Sequence, residues 1–238
     1  MKVIRLLIDP RITLVAALVV LQFFAAEWVV SATWRGQYSY QTDQIGPLGL
    51  EFCGPQGRWP CSALYPVMNV SFVLTGLAIA VVASSWAVRR IVTFPHAGAL
   101  AIAGVGLAVT GIITEKTDYQ QHSAALTTFF VLASVGLAMI GFSGSTRLAA
   151  GVRAFTALAG TVATVAFIAY ATGLTGWFGS GGTQRLIIYP ILIAVVVAGV
   201  SSGRVRVADD HTSDTEPAVA EQEVAGPEVS QPGPVTTG

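Results

Sequence analysis

The sequence predicts an all-α, polytopic membrane protein: a six-transmembrane-helix bundle with one disulfide-containing outer loop. Three observations carry this. Six apolar stretches recur along the 238 residues, at 12–33, 65–88, 98–114, 123–142, 154–174 and 184–201. Most approach the ~20 residues with which an α-helix crosses a ~30 Å hydrocarbon core. Charged residues make up 11% of the chain and apolar residues 53%, where an ordinary soluble domain carries about 25% charged. The few basic residues are also sorted. Lys2, Arg5 and Arg11 precede the first stretch, Arg89 and Arg90 follow the second, Arg147 and Arg153 flank the fourth-to-fifth connection, and Arg204 and Arg206 follow the sixth. Cytoplasmic loops retain basic residues, so both termini are expected inside. An even number of spans requires the two termini to share a side, and the charge count agrees.

The N-terminus, 1–11, is short and basic. A basic start, an apolar run and Val30-Ser31-Ala32 also suit a secretory signal peptide, but the run exceeds twenty residues and a signal core has about 7–15. An uncleaved first span is the reading kept. Arginine outnumbers lysine eleven to two, and Ala, Val and Gly dominate. That is the habit of a high-GC bacterium, which places the chain in a plasma (inner) membrane.

The outer loop, 35–64, is the one long connection within the transmembrane domain of 12–203. It holds Cys53 and Cys61, separated by the turn formers Gly54, Pro55, Gly57 and Pro60. The outer face of such a membrane permits disulfides, and closing so short a loop stabilises by about 2–3 kcal/mol in the chain-entropy model. Two cysteines without neighbouring histidines make a poor zinc site, so no metal is expected. The other connections are short and make consecutive spans antiparallel neighbours. The third stretch carries Gly98, Gly104, Gly106 and Gly111, and the fifth Thr156, Gly160 and Thr164. Small faces of this kind let helices approach closely in lipid, or pair two copies of a chain. The segment 204–238 is acidic, with Asp209, Asp210, Asp214, Glu216, Glu221, Glu223 and Glu228, and has no aromatic residue. It cannot bury enough apolar surface to offset its ordering entropy, so a disordered cytoplasmic tail is expected.

Charges within a bilayer are costly, so their positions are the best guide to function. Glu27 lies fifteen residues into the first stretch, about 22 Å along a helix axis. Asn69 sits near the outer start of the second stretch. Glu115, Lys116, Asp118 and His122 form the outer turn between the third and fourth, and Arg185 opens the sixth. Separate segments thus deliver polar groups to one depth below the outer surface. Glu27, Asn69, Glu115, Asp118, His122 and Arg185 are the candidate ligand-binding residues of an outer-leaflet pocket.

Three readings of the cluster stand side by side. It is a hydrogen-bond network joining helix ends, since buried polar groups need partners. It is a site for a lipid headgroup or small ligand, held in the planar fork of Arg185. Or it is a hydrolytic centre in which Glu115, Asp118 and His122 act as acid and base or hold a metal. No polar file crosses the midplane, which argues against a pump or channel. His96, His122 and His211 are not placed to bind haem, no Gly-rich phosphate loop is present, and no cofactor is called for. Zero net charge suggests no nucleic-acid partner. Membrane lipid is the expected partner, with a membrane-protein partner as a further option.

Several of these residues carry a family likeness. The run Cys61-Ser62-Ala63-Leu64-Tyr65-Pro66-Val67-Met68-Asn69-Val70-Ser71-Phe72-Val73-Leu74-Thr75-Gly76 resembles the second-span entry of a bacterial six-span membrane family, domain of unknown function 998. Glu115 followed by His122-Ser123-Ala124-Ala125 resembles its acid-then-histidine element. Gln184-Arg185-Leu186-Ile187-Ile188-Tyr189-Pro190 resembles the opening of its last span. The likeness covers 12–201. The family is similar in layout to Frag- and Sfk-type membrane proteins, associated with lipid organisation and processing, an analogy that transfers no reaction.

Two departures bear on chemistry. The family's Ile-Ser-Asp-Leu-Gly element is here Ile45-Gly46-Pro47-Leu48-Gly49, and its glutamate before the last-span arginine is here Gln184. Asp43 stands close enough to substitute for the lost aspartate. These losses weigh against catalysis. The reading is therefore an integral membrane protein that interacts with lipid or a partner through the polar outer-leaflet pocket. An outer-leaflet hydrolase is the alternative, and a small-solute or lipid transporter the third reading.

Overall fold

The computed structural model describes residues 6–51 and 61–203. Residues 1–5, the Cys53 half of the expected disulfide and the acidic segment 204–238 lie outside this range. Among the described residues the structure is helical, apart from a single bridge between Trp34 and Ser62.

The first span is built from two helices, α1 (Pro10–Val19) and α2 (Gln22–Ala32). Asp9 caps α1, its carboxylate accepting the Arg11 amide at 2.9 Å. Between the two helices the amides of Val20 and Leu21 bond to the carbonyls of Ala17 and Leu18, so the chain tightens for one turn instead of ending. Beside that turn, Gln22 Nε2 donates to the Ser71 carbonyl at 3.2 Å and to Thr75 Oγ1 at 2.7 Å, which ties the first span to the second. The remaining helices are α3 (Tyr65–Val88), α4 (Phe94–Ile112), α5 (Tyr119–Phe142), α6 (Ala150–Ala171) and α7 (Gly179–Ser202). With α1 and α2 taken as one span, six helical segments are long and apolar enough to cross a membrane.

Consecutive helices pack against each other, and α7 closes back onto α1. Phe23, Met68, Trp86, Phe129 and Leu137 fill the interior, while Leu77, Ile102, Leu158 and Val165 point outward. A bundle apolar on both its inner and outer surfaces suits lipid as solvent. Close approach depends on a few small residues. A side chain on Gly76 would collide with the Gly104 carbonyl and the Ala108 backbone across the α3–α4 contact, and one on Gly160 with Ala138 across α5–α6. Gly98, by contrast, faces open space. Thr156 and Thr164 return their hydroxyls to the carbonyls of Val152 and Gly160, each at 2.8 Å, and so present methyl groups to their neighbours.

Five helices begin earlier than hydropathy alone suggests, α1 by two residues and α4, α5, α6 and α7 by four or five. Pro95 lies in the first turn of α4, where its fixed φ favours helix and its missing N–H costs nothing. Asp118 accepts the Gln121 amide at 3.0 Å and starts α5. The α7 helix begins at Gly179, so Arg185 lies in its second turn and not at its opening.

Interhelical bonds define one end of the bundle. Ser85 Oγ donates to the Leu7 carbonyl at 2.8 Å, Arg89 Nη2 to the Ser202 carbonyl at 2.8 Å, and the Arg147 amide to the Ile91 carbonyl at 2.9 Å. The start of the chain, the α3–α4 and α5–α6 turns and the end of α7 thus share this terminus-bearing end. The long loop after α2 and the α4–α5 and α6–α7 turns share the other, loop-bearing end.

Candidate functional site

Arg185 organises the loop-bearing end. It is buried on α7, and its Nε donates to Glu27 Oε1 on α2 at 2.8 Å. The other Glu27 oxygen accepts the Tyr189 hydroxyl at 2.9 Å. Tyr189 lies one helical turn beyond Arg185, so the two reach the same carboxylate from one face of α7. Arg185 Nη1 donates to the carbonyls of Tyr40 and Asp43, at 2.8 and 2.9 Å, and Nη2 donates to the Tyr38 hydroxyl. The guanidinium carbon also lies 4.7 Å from the ring centre of Tyr40 and 5.5 Å from that of Tyr38, a cation–π arrangement. Burial raises the Tyr38 phenol to about 12, against the pull of the Arg185 charge. It therefore stays a neutral donor, and donates to the Gln44 carbonyl at 3.1 Å.

The loop is fastened along its length. Gln41 Nε2 donates to the Trp177 carbonyl at 2.6 Å, Ser180 Oγ to the Thr42 carbonyl at 2.7 Å, and the Gly182 amide to the Gln41 carbonyl at 2.9 Å. Gln184 accepts the Ile45 amide at 2.7 Å. A side-chain amide does this as well as a carboxylate would, which accounts for a neutral residue before Arg185. Asp43 does not offer a substitute acid to the cluster. Its carboxylate accepts the Ser39 amide at 2.8 Å, and only its backbone carbonyl meets Arg185.

A second polar group lies beyond Ile45. The chain enters a 3₁₀ turn, Gly46–Gly49, whose backbone rests on side chains from three elements. Asn69 Nδ2 donates to the Gly49 carbonyl at 3.0 Å. Gly46 lies directly against Glu115, with no room for a Cβ. His122 is buried, its Nδ1 donating to the Ile113 carbonyl at 2.7 Å, while its Nε2 faces Glu115 Oε1 at 3.7 Å without a hydrogen-bond partner. Burial raises the Glu115 carboxyl, and the His122 charge acts in the opposite direction. Nearby, Lys116 and Glu51 pair at 2.7 Å, and that hydrogen bond lowers the Glu51 carboxyl.

The candidate residues thus fall into two groups. Glu27 joins Arg185, and Glu115 joins His122 with Asn69 close by. Asp118, as the half-buried cap of α5, belongs to neither. The loop segment 38–49 connects the groups and fills the space where an open polar pocket is expected. The reason is visible in Arg185: two side chains and two backbone carbonyls of its own chain already take four of its five N–H donors. Among the described residues no three His, Cys, Asp or Glu side chains gather to hold a metal ion. Sequence reasoning missed Tyr38, Tyr40 and Tyr189. Tyr38 and Tyr40, spaced two apart in the otherwise polar stretch 35–44, were the available signal.

Beside this end, α6 and α7 diverge into a groove of about 480 Å³ lined by Leu158, Val162, Arg185, Leu186, Tyr189 and Ile193, among others. Its residues on α7 include Pro190, whose missing N–H leaves the Leu186 carbonyl without its usual helical partner. The lining is otherwise aliphatic and aromatic.

A family model described as "Protein of unknown function (DUF998)" matches residues 14–201. No curated protein and no solved structure matches the chain. The matched range runs from within α1 to the last turn of α7 and takes in every polar side chain of the loop-bearing end described above. The chain belongs to the DUF998 family and is a multi-pass integral membrane protein of unknown function.

Proposed function

We propose that this protein binds membrane lipid without transforming it, holding an acyl chain in the groove between α6 and α7 beneath a loop clamped by Arg185. The groove carries the reading. It is apolar, opens on the flank of two membrane-crossing helices, and ends at the buried polar cluster. Ligand sites are typically concave and mostly apolar, with a few polar groups at one end. The reading sets the protein in a plasma membrane with the terminus-bearing end cytoplasmic, on the strength of the arginines sorted to that end. The loop-bearing end then lies in the outer leaflet, where the Cys53–Cys61 bond we propose is permitted.

Native mass spectrometry of detergent-purified protein tests the reading. Val162→Trp fills the groove from a lipid-exposed position, and Ile102→Trp on α4 is the control on another exposed flank. Loss of retained lipid in the first variant alone supports groove binding. Equal retention in both overturns it.

One observation favours a second reading, outer-leaflet hydrolysis. His122 keeps an unpartnered Nε2 at 3.7 Å from Glu115, the pairing from which general base catalysis is built. Release of fatty acid from ester-linked lipid that disappears in His122→Ala would establish it. No release from any lipid class presented would sink it.

A further inference from the structure

At the terminus-bearing end, α5 and α6 part around a cavity of about 560 Å³ lined by Gly141, Phe142, Arg153, Ala154, Ala157 and Thr161, among others. Thr161 returns its hydroxyl to the Ala157 carbonyl at 2.8 Å, so the wall above Arg153 is apolar in effect. Arg153 is the one charged residue of the lining. Its side chain makes no hydrogen bond or ion pair among the described residues, and its Nε is out of contact with solvent.

An arginine that only sets topology needs to reach water, and Arg90 and Arg147 at the same end do so, both being exposed. Arg153 is only half-buried, but its Nε is held in a cavity that supplies it no counter-charge. The surroundings cannot supply one either. Among the described residues this end carries Arg11, Arg89, Arg90, Arg147 and Arg153 against Asp9 alone, and Asp9 is engaged at the start of α1. An anion in the cavity would give the guanidinium the partner that its own chain does not supply. A guanidinium presents its donors in a planar fork suited to phosphate oxygens.

We infer that this cavity is a binding site for an anionic phospholipid. The phosphodiester sits on Arg153 and the start of one acyl chain runs along Ala157 and Thr161. From Arg153 to Thr161 the helix rises about 12 Å, enough for the upper part of a chain. The site lies between α5 and α6 and shares only Leu158 with the groove between α6 and α7; Val162 lines the groove alone of the two, so Val162→Trp should leave this site intact.

The probe is phosphatidylglycerol titrated into the full-length protein in neutral detergent, with bound lipid counted by native mass spectrometry. Arg153→Gln should weaken binding about tenfold, the scale of losing a charge-assisted hydrogen bond. Arg147→Gln, which removes an exposed charge from the same end, should change it less than about twofold, as exposed charges do. Ala154→Trp fills the cavity from an exposed position while keeping the guanidinium, and should lose the lipid too. That second variant decides the matter if Arg153→Gln does not fold. Equal losses in the Arg153 and Arg147 variants would reduce the effect to general surface charge and overturn the site. Displacement of the lipid by inorganic phosphate at equal concentration would overturn the lipid assignment, because the cavity would then be reading the phosphate alone. Unchanged binding in Ala154→Trp would place the lipid elsewhere.

Discussion

Arg185 and Glu27 lie 158 positions apart in the chain and meet at 2.8 Å, with side chains 7% and 2% exposed. Removing one partner of a buried pair strands the other, at a cost of roughly 3–5 kcal/mol. Arg185 also binds the Tyr40 and Asp43 carbonyls, so its loss should release the loop as well. Arg185→Ala should lower the thermal midpoint in detergent steeply. The double variant with Glu27→Gln should recover part of the loss, because the stranded charge is gone. A double variant no better than the single one would show that the loop contacts, and not the ion pair, hold this end together.

Glu115 makes the stability of the loop-bearing end depend on pH. Burial raises its carboxyl above the ordinary value of 4.5, so the folded protein binds that proton more tightly than the unfolded chain does. This contribution is fully present below about pH 4.5 and is lost as pH rises through the raised value. Glu115→Gln cannot lose it. The wild type should therefore lose stability relative to Glu115→Gln as pH rises above about 4.5, measured as the difference in thermal midpoints. Parallel curves for the two proteins would contradict the assignment.

The proposed Cys53–Cys61 bond is checked by peptide mapping without reductant. Cys61 is buried where the Arg35 amide binds its carbonyl at 2.8 Å and Trp34 bridges Ser62, so the bond would pin the loop back to the end of α2. A single cross-linked peptide is the expected product. Ready alkylation of both thiols before reduction would remove the bond from the account.

Orientation is read with single cysteines at positions the fold leaves accessible. Trp177 is 95% exposed in the α6–α7 turn, and Ser145 is exposed in the α5–α6 turn. In intact cells of a background in which Cys53 and Cys61 are replaced, Trp177→Cys should react with a membrane-impermeant thiol reagent and Ser145→Cys should not. The reverse pattern would put the termini outside.

The bundle was legible because the bilayer imposes a length on each span, and the arginines between the apolar stretches mark where spans end. Helix starts were less legible. Pro95, Asp118 and the glycines from 179 onward add turns that carry little hydropathy. Glu27 and Arg185 are expected at one depth from their places in the apolar stretches, and in the fold their side chains meet at 2.8 Å. Depth alone could not show what separates this pair from Glu115 and His122. The groups in between are largely backbone, the carbonyls of Tyr40, Asp43 and Gly49 and the amide of Ile45. Every residue carries such groups, so no residue type announces them. The α6–α7 groove is equally silent in sequence, since Leu158 and Val162 read the same whether they face lipid at large or one bound chain.

The most direct test of the central claim, a lipid held between α6 and α7, is photocrosslinking with a phospholipid that carries a diazirine in its acyl chain. With the protein in bilayers, adducts are mapped by mass spectrometry. The account predicts adducts concentrated on Leu158, Val162, Leu186 and Ile193, which line the groove. Adducts spread over Val70, Leu77 and Ile102 in proportion to their exposure would contradict it.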